Sequence, residues 1–154
     1  MDDMLRELYQ EVILDHGKNP RNFRHPEDAT CEAQGNNPLC GDRLTVYAKV
    51  GDDQTIEDVA FEGRGCAISM ASASMMTDIA CGKSISQVQN LFDLFHKLCT
   101  GEEEAMVSDE FADDIEKLKV MSGVRQFPMR VKCATLAWHA VNAAVTGEND
   151  ASTE

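Results

Sequence analysis

The apolar pattern of this 154-residue chain changes period just after Phe61, and that break constrains the fold more than any other feature. Before it, Ile56–Phe61 sets Ile56, Asp58 and Ala60 against Glu57, Val59 and Phe61, the two-residue period of a strand. After it, Ala67–Ala80 is a run of small residues and methionines that predicts a helix with a thin side-chain surface. Glu62-Gly63-Arg64-Gly65-Cys66 is the turn between them.

Upstream, Ala29–Gln34 and residues 43–50 read as two further strands, and Gly51-Asp52-Asp53 as the turn of a hairpin, giving a three-stranded antiparallel meander. A first helix is expected from Asp3 to His16, with Leu5, Leu8 and Val12 on its stripe alongside Tyr9 and Ile13, Asp2 or Asp3 as cap, and Gly17 as its stop. Residues 18–28 read as loop. Downstream, Ser84 and Gln87 form a capping-box pattern opening a helix through Val88, Leu91, Phe92 and Phe95 to about Cys99, ended by Gly101. Residues 102–120 are acidic, with a helical stripe of Phe111, Ile115, Leu118 and Met121. A last helix runs from about Met129 to Thr146, with Cys133, Leu136, Ala137, Ala140, Val141 and Ala144 on one stripe. The expectation is one α+β domain over residues 1–147, a small three-stranded antiparallel sheet with helices packed on one face, and a frayed polar tail at 148–154.

A formal charge of −13, from 27 acidic and 14 basic residues, would repel a phosphate backbone and argues against nucleic acid as partner. No apolar run approaches a membrane span, and Met-Asp-Asp-Met-Leu-Arg-Glu does not read as a signal peptide, so a cytoplasmic protein is expected. In a reducing compartment, six cysteines are more readily free, catalytic or metal-bound than disulfide-linked. None forms a Cys-x-x-Cys pair, so any metal site must be assembled from distant segments.

The hexapeptide Asn37-Pro38-Leu39-Cys40-Gly41-Asp42 offers such a segment. A thiol and a carboxylate two residues apart leave the same face of an extended chain, and Gly41 lets the backbone come close to a ligand. Cys66 stands at the mouth of the Ala67–Ala80 helix. There the helix dipole stabilises a thiolate, although a small buried hydrophobe is an equally good reading. Cys133 falls in the first turns of the last helix. Three thiols and a carboxylate are a plausible tetrahedral zinc or iron set, but their spacing carries no generic signature. Cys31, Cys81 and Cys99 have no partner at ligand spacing, and the His96–Cys99 pair is a weak two-donor set. His139 is off the face of Cys133, and His16 and His25 flank a loop. Trp138, Met70, Met75 and Met76 read as core or interface.

Three segments carry a more specific signal: Asn37–Asp42; Gly65-Cys66-Ala67-Ile68-Ser69-Met70-Ala71-Ser72-Ala73-Ser74-Met75-Met76-Thr77; and Arg130-Val131-Lys132-Cys133-Ala134-Thr135-Leu136-Ala137-Trp138. Together they closely resemble the signature segments of the U-type iron–sulfur cluster assembly proteins, the IscU-like and NifU N-terminal family. Lys132, where IscU-like members place a histidine before the last cysteine, and the long Ser84–Gly123 region make the chain similar to the SufU class.

The resemblance implies a zinc-containing sulfur acceptor, with Cys40, Asp42, Cys66 and Cys133 as metal ligands. It implies a pyridoxal-phosphate cysteine desulfurase of the SufS type as sulfur donor, and downstream iron–sulfur assembly proteins as partners. The family's alternative role is a scaffold on which a 2Fe–2S cluster is built and passed to apo-proteins, with iron or the cluster held transiently. Cys40, on a loop that can swing, is the expected acceptor, since Cys66 and Cys133 sit on helices. Four anionic ligands around a dication leave a charge of about −2, so Arg43, Arg64, Arg125, Arg130 and Lys132 are expected to form a basic rim.

Overall fold

The computed structural model describes residues 3–101, 109–147 and 150–152, the last three as backbone. Strands β1 (Cys31–Asn37), β2 (Asp42–Val50) and β3 (Ile56–Arg64) form the antiparallel meander. Along β1 the inward residues Ala33, Gly35 and Asn37 alternate with exposed Glu32, Gln34 and Asn36, the pattern of a strand with one face on the core. On the outward side of β2, Tyr47 is covered by a stacked His25, 4.1 Å between ring centroids.

Helices α1 (Asp3–Lys18), α2 (Ala67–Ala80), α3 (Ile85–Thr100), α4 (Ala112–Leu118) and α5 (Pro128–Val145) complete the domain. Short 3-10 segments at Asp109–Phe111 and Lys119–Gln126 flank α4. The capping box of α3 forms as expected, and Gly101 ends that helix with φ 75°. The stripe of Phe111, Ile115, Leu118 and Met121 is buried, while residues 102–108 of the acidic run lie outside the described residues.

Helix α2 is buried nearly all round, which its small side chains permit. Its hydroxyls find partners: Ser72 donates to the Ala134 carbonyl, and Ser74 accepts the Arg21 N–H at 2.8 Å. Gly35 does the same for the sheet, since a Cβ there would meet Leu136 and Ala140 of α5 at 3.1 and 3.3 Å. The main core that results has Phe61, Phe95, Leu44, Met76, Leu91 and Trp138 fully buried, with a small second cluster of Ala33, Ala143 and Ala144. No helix among the described residues is long and apolar enough to cross a membrane.

Two expectations need correction. Helix α1 continues through Gly17 to Lys18, and Leu5 and Leu8 of its stripe are exposed while Tyr9, Val12 and Ile13 pack on the core. The helix is anchored at its C-terminal end, where His16 Nδ1 stands 2.7 Å from Ser74 Oγ and Gly17 lies against Ala67, so its first turns reach beyond the surface they would cover. The tail is not wholly frayed: Asp150–Ser152 form β4, paired parallel with Gln34–Asn36 in a sheet ordered β3-β2-β1-β4. Gly147, at φ 87°, turns the chain after α5 towards the otherwise open edge of β1, whose N–H and C=O groups take a partner whatever its side chains are.

Candidate metal centre

Asn37 and Asp42 pair across β1 and β2, so the four residues between them are the turn of a hairpin. Gly41 adopts φ 72°, a left-handed conformation that glycine enters without strain, and the Cys40 N–H donates to the Asn37 carbonyl at 3.3 Å. The turn leaves Cys40 half-buried and directs Asp42, the first residue of β2, wholly inward. From the other side, Pro128 at the first position of α5 starts the helix that carries Cys133 inward within its second turn, also wholly buried. Cys40 Sγ, a carboxylate oxygen of Asp42 and Cys133 Sγ all lie within 4.8 Å of one another.

Cys66 stands beside this trio as the N-cap of α2. Its thiol accepts the Ser69 N–H at 3.4 Å and its own N–H donates to Asp42 Oδ1 at 2.9 Å. Gly65 makes that approach possible, because a Cβ there would fall 2.7 Å from the same oxygen.

The electrostatics are those of a cluster of electron-rich groups packed close together. Burial, and then the adjacent Asp42, Cys40 and Cys66, push the Cys133 thiol far above the ordinary thiol range. The exposed Arg130 guanidinium is raised by its hydrogen bond to Cys133 and by the Cys66 and Cys40 thiols, which places it at the rim. Arg43 and Arg64 are exposed and face each other in register across β2 and β3. Both point to the solvent face of the sheet, away from the inward Asp42, although they follow Asp42 and precede Gly65 in sequence. Arg125 has a different use: its Nε donates to the Leu98 carbonyl at 2.6 Å and its stem packs on Gly101, satisfying the C-terminal end of α3. Leu39 in the β1–β2 turn and Phe127 and Met129 at the start of α5 are apolar and each more than half exposed.

The donor set fits a soft divalent ion. Two thiols and a carboxylate oxygen within 4.8 Å of one another are donor types that zinc would accept, and it would keep the thiols deprotonated there. Cys40, Asp42, Cys66 and Cys133 are the residues that could hold such an ion.

Two residues at the site escape a reading of residue types. Asn37 sits at an inward position of β1, with Nδ2 3.4 Å from Asp42 Oδ2 and 3.5 Å from Cys133 Sγ. A polar residue continuing the inward sequence Ala33, Gly35 was the available signal. Gly65 belongs in sequence to a turn, and nothing local shows which oxygen it makes room for. The other cysteines pack as expected: Cys99 is buried and its thiol pushed up to about 12 by that burial, Cys31 is half-buried, and Cys81 is exposed at the end of α2. His96 and His139 flank the Phe92 ring, with centroids 6.3 and 4.7 Å away.

Fold and site together define a small α+β domain whose thiol–carboxylate cluster joins a hairpin turn, a helix N-terminus and the final helix. The chain belongs to the family of NifU-like N-terminal domains, whose profile matches residues 8–132. It is 42% identical over 141 residues to the zinc-dependent sulfurtransferase SufU of Bacillus subtilis, covering 92% of this chain and 91% of that one. It is 40% identical, also over 141 residues, to the iron–sulfur cluster assembly scaffold protein IscU of Streptococcus pyogenes, covering 92% of this chain and 84% of the relative. Among solved structures it is similar to a candidate iron–sulfur cluster assembly scaffold protein for the SUF system from Fervidobacterium islandicum AW-1, with TM-score 0.77 and 31% identity over 91% of this chain and 98% of that one.

Proposed function

We propose that this protein is a zinc-containing sulfur acceptor of iron–sulfur cluster assembly, which takes persulfide sulfur from a pyridoxal-phosphate cysteine desulfurase of the SufS type and hands it to downstream assembly proteins. The observation that carries this is the convergence of Cys40, Asp42 and Cys133 within 4.8 Å, in a chain 42% identical to a relative named a zinc-dependent sulfurtransferase. Cys66 is the fourth ligand, exchanging its Ser69 N–H for the ion. When bound, zinc keeps these thiols deprotonated and shields them from oxidation.

The transfer is a thiol–disulfide exchange. The Cys40 thiolate attacks the terminal sulfur of the donor's persulfide, the donor cysteine leaves as a thiolate, and one S–S bond replaces another without an external oxidant or reductant. Cys40 suits that step because, half-buried like Cys66, it lies on a turn beside exposed Leu39 and caps no helix, whereas Cys133 is enclosed. Arg130 with Leu39, Phe127 and Met129, and Arg43 and Arg64 on the solvent face of the sheet, supply mixed cationic and apolar character, the composition a protein partner requires of an otherwise acidic chain.

The scaffold role has in its favour the likeness to relatives named scaffolds, those of Streptococcus pyogenes and Fervidobacterium islandicum among them. Against it stands Lys132, part-buried beside Cys133, since a lysine ammonium has no free lone pair for iron. Metal analysis of freshly purified protein, together with its effect on desulfurase turnover, separates the two. One zinc per chain and a stimulated desulfurase support the acceptor; a reconstituted cluster that transfers to an apo-protein, with no stimulation, supports the scaffold.

A further inference from the structure

Asn37 is wholly buried, and its carboxamide meets two of the three clustered donors: Nδ2 is 3.4 Å from Asp42 Oδ2 and 3.5 Å from Cys133 Sγ. Its Oδ1 has no hydrogen-bond partner among the described residues. Turning the amide over would set Oδ1 against a carboxylate oxygen and a sulfur, both electron-rich, so the N–H groups face the cluster for an electrostatic reason. A side chain needed only to fill this space would be apolar, because an unpartnered buried oxygen costs stability that a hydrocarbon does not. What asparagine brings is a pair of N–H hydrogens on one rigid plane.

With Asn37 on Oδ2 and the Cys66 N–H on Oδ1, the Asp42 carboxylate is gripped at both oxygens. The remaining lone pairs then point in directions fixed by β1 and α2 together. The N–H near Cys133 also lays partial positive charge beside a sulfur that Arg130 reaches only from the exposed rim.

We infer that Asn37 is a positioning residue of the metal centre: its carboxamide holds the Asp42 carboxylate and the Cys133 sulfur as one preset pair, raising the affinity of the site for a soft divalent ion. This rests on the reading of the cluster as a zinc centre. Partners of metal ligands typically matter by about 10–100-fold in affinity, and that range is expected here.

The test compares wild type with Asn37→Leu, of similar size but without N–H groups, and Asn37→Asp, of similar shape with oxygen in place of the donor. Zinc affinity is read by competition with a chromophoric chelator, the ligand field by the absorption of the cobalt(II)-loaded protein, and apo folding by circular dichroism and thermal melting. Asn37→Leu is expected to melt at or above the wild-type temperature as apoprotein, yet to bind zinc about 10–100-fold more weakly with an altered sulfur-to-cobalt band. Asn37→Asp is expected to lose more, since it adds a negative charge to the cluster, and it decides the matter should the leucine variant not fold. Unchanged affinity and an unchanged cobalt spectrum in the folded variants overturn the inference, as does a loss that only tracks the unfolded fraction. Wild-type protein that takes up no stoichiometric zinc overturns the zinc reading itself, and is recognised without either variant.

Discussion

The backbone N–H of Cys66 donates to Oδ1 of Asp42 at 2.9 Å, tying the residue that caps α2 to the one that opens β2. The contact depends on Gly65, where any Cβ would fall 2.7 Å from that oxygen. Gly65→Ala should therefore push the carboxylate out of place, costing the apoprotein about 1–3 kcal/mol and its zinc retention as well. Asp42→Ala removes the oxygen instead of displacing it, and should keep the fold while zinc exchanges faster. Thermal melting with chelator-driven zinc release measures both variants; retention matching wild type in each would place the carboxylate outside the centre.

The in-register pair of Arg43 and Arg64 gives a prediction about association. Reversing either one to glutamate should slow binding to the desulfurase several-fold at low salt, with the difference fading as ionic strength rises and the Debye length falls to about 8 Å near physiological salt. Stopped-flow association over a salt series checks it. Arg125→Glu, by contrast, should act through stability, because that side chain serves the end of α3. An association rate indifferent to salt in all three would remove Arg43 and Arg64 from the docking surface.

The sheet and most helices were legible because their signals are local. The alternation of Ile56–Phe61, the Ser84–Gln87 box and the Gly101 stop each act within a few residues, and each appears where expected. What was not legible depends on distant partners. Leu5 and Leu8 lie on the correct stripe of α1 but beyond the surface that Tyr9 and Val12 meet. Strand β4 has no strand-like pattern of its own; it forms where Gly147 delivers it to the β1 edge. At the site, residue types singled out Cys40, Asp42, Cys66 and Cys133, whereas the hydrogen bonds of Asn37 and the vacancy at Gly65 exist only once β1, β2, α2 and α5 meet.

Acid should destabilise this fold through two histidines. Burial, the leading cause in each case, lowers His16 and His139 below the ordinary imidazole value of 6.5; Arg21 lowers His16 further, and His96 lowers His139. A base lowered in the folded state is protonated first in the unfolded chain. Its contribution is thus complete above about pH 6.5 and is lost as pH falls through the folded value. The melting temperature of the zinc-free protein should fall across that window, and His139→Phe should flatten the fall. His16→Ala should additionally cost about 1 kcal/mol through the lost contact with Ser74. A profile unchanged in both variants would assign acid sensitivity to other groups.

The proposal that Cys40 is the acceptor sulfur draws on the surroundings of the six cysteines. Cys99 is sealed in the core, Cys31 is half-buried on a strand, and Cys81, though exposed, lies at the far end of α2 from Cys66. Within the centre, Cys133 is enclosed and hydrogen-bonded to the Asn37 amide, and Cys66 is engaged by the Ser69 N–H. Cys40 is bound to neither helix, so turning its sulfur outward disturbs the least structure, and an attacking thiolate must meet the donor persulfide in line. Cys40→Ser should abolish sulfur capture and desulfurase stimulation while Cys66, Cys133 and Asp42 still hold a weakened metal. After mixing with desulfurase and cysteine, alkylation and peptide mapping by mass spectrometry should find the extra sulfur on Cys40. Sulfur found on Cys133 or Cys66, with the Cys40→Ser protein still active, would move the acceptor onto a helix and require α2 or α5 to open during transfer.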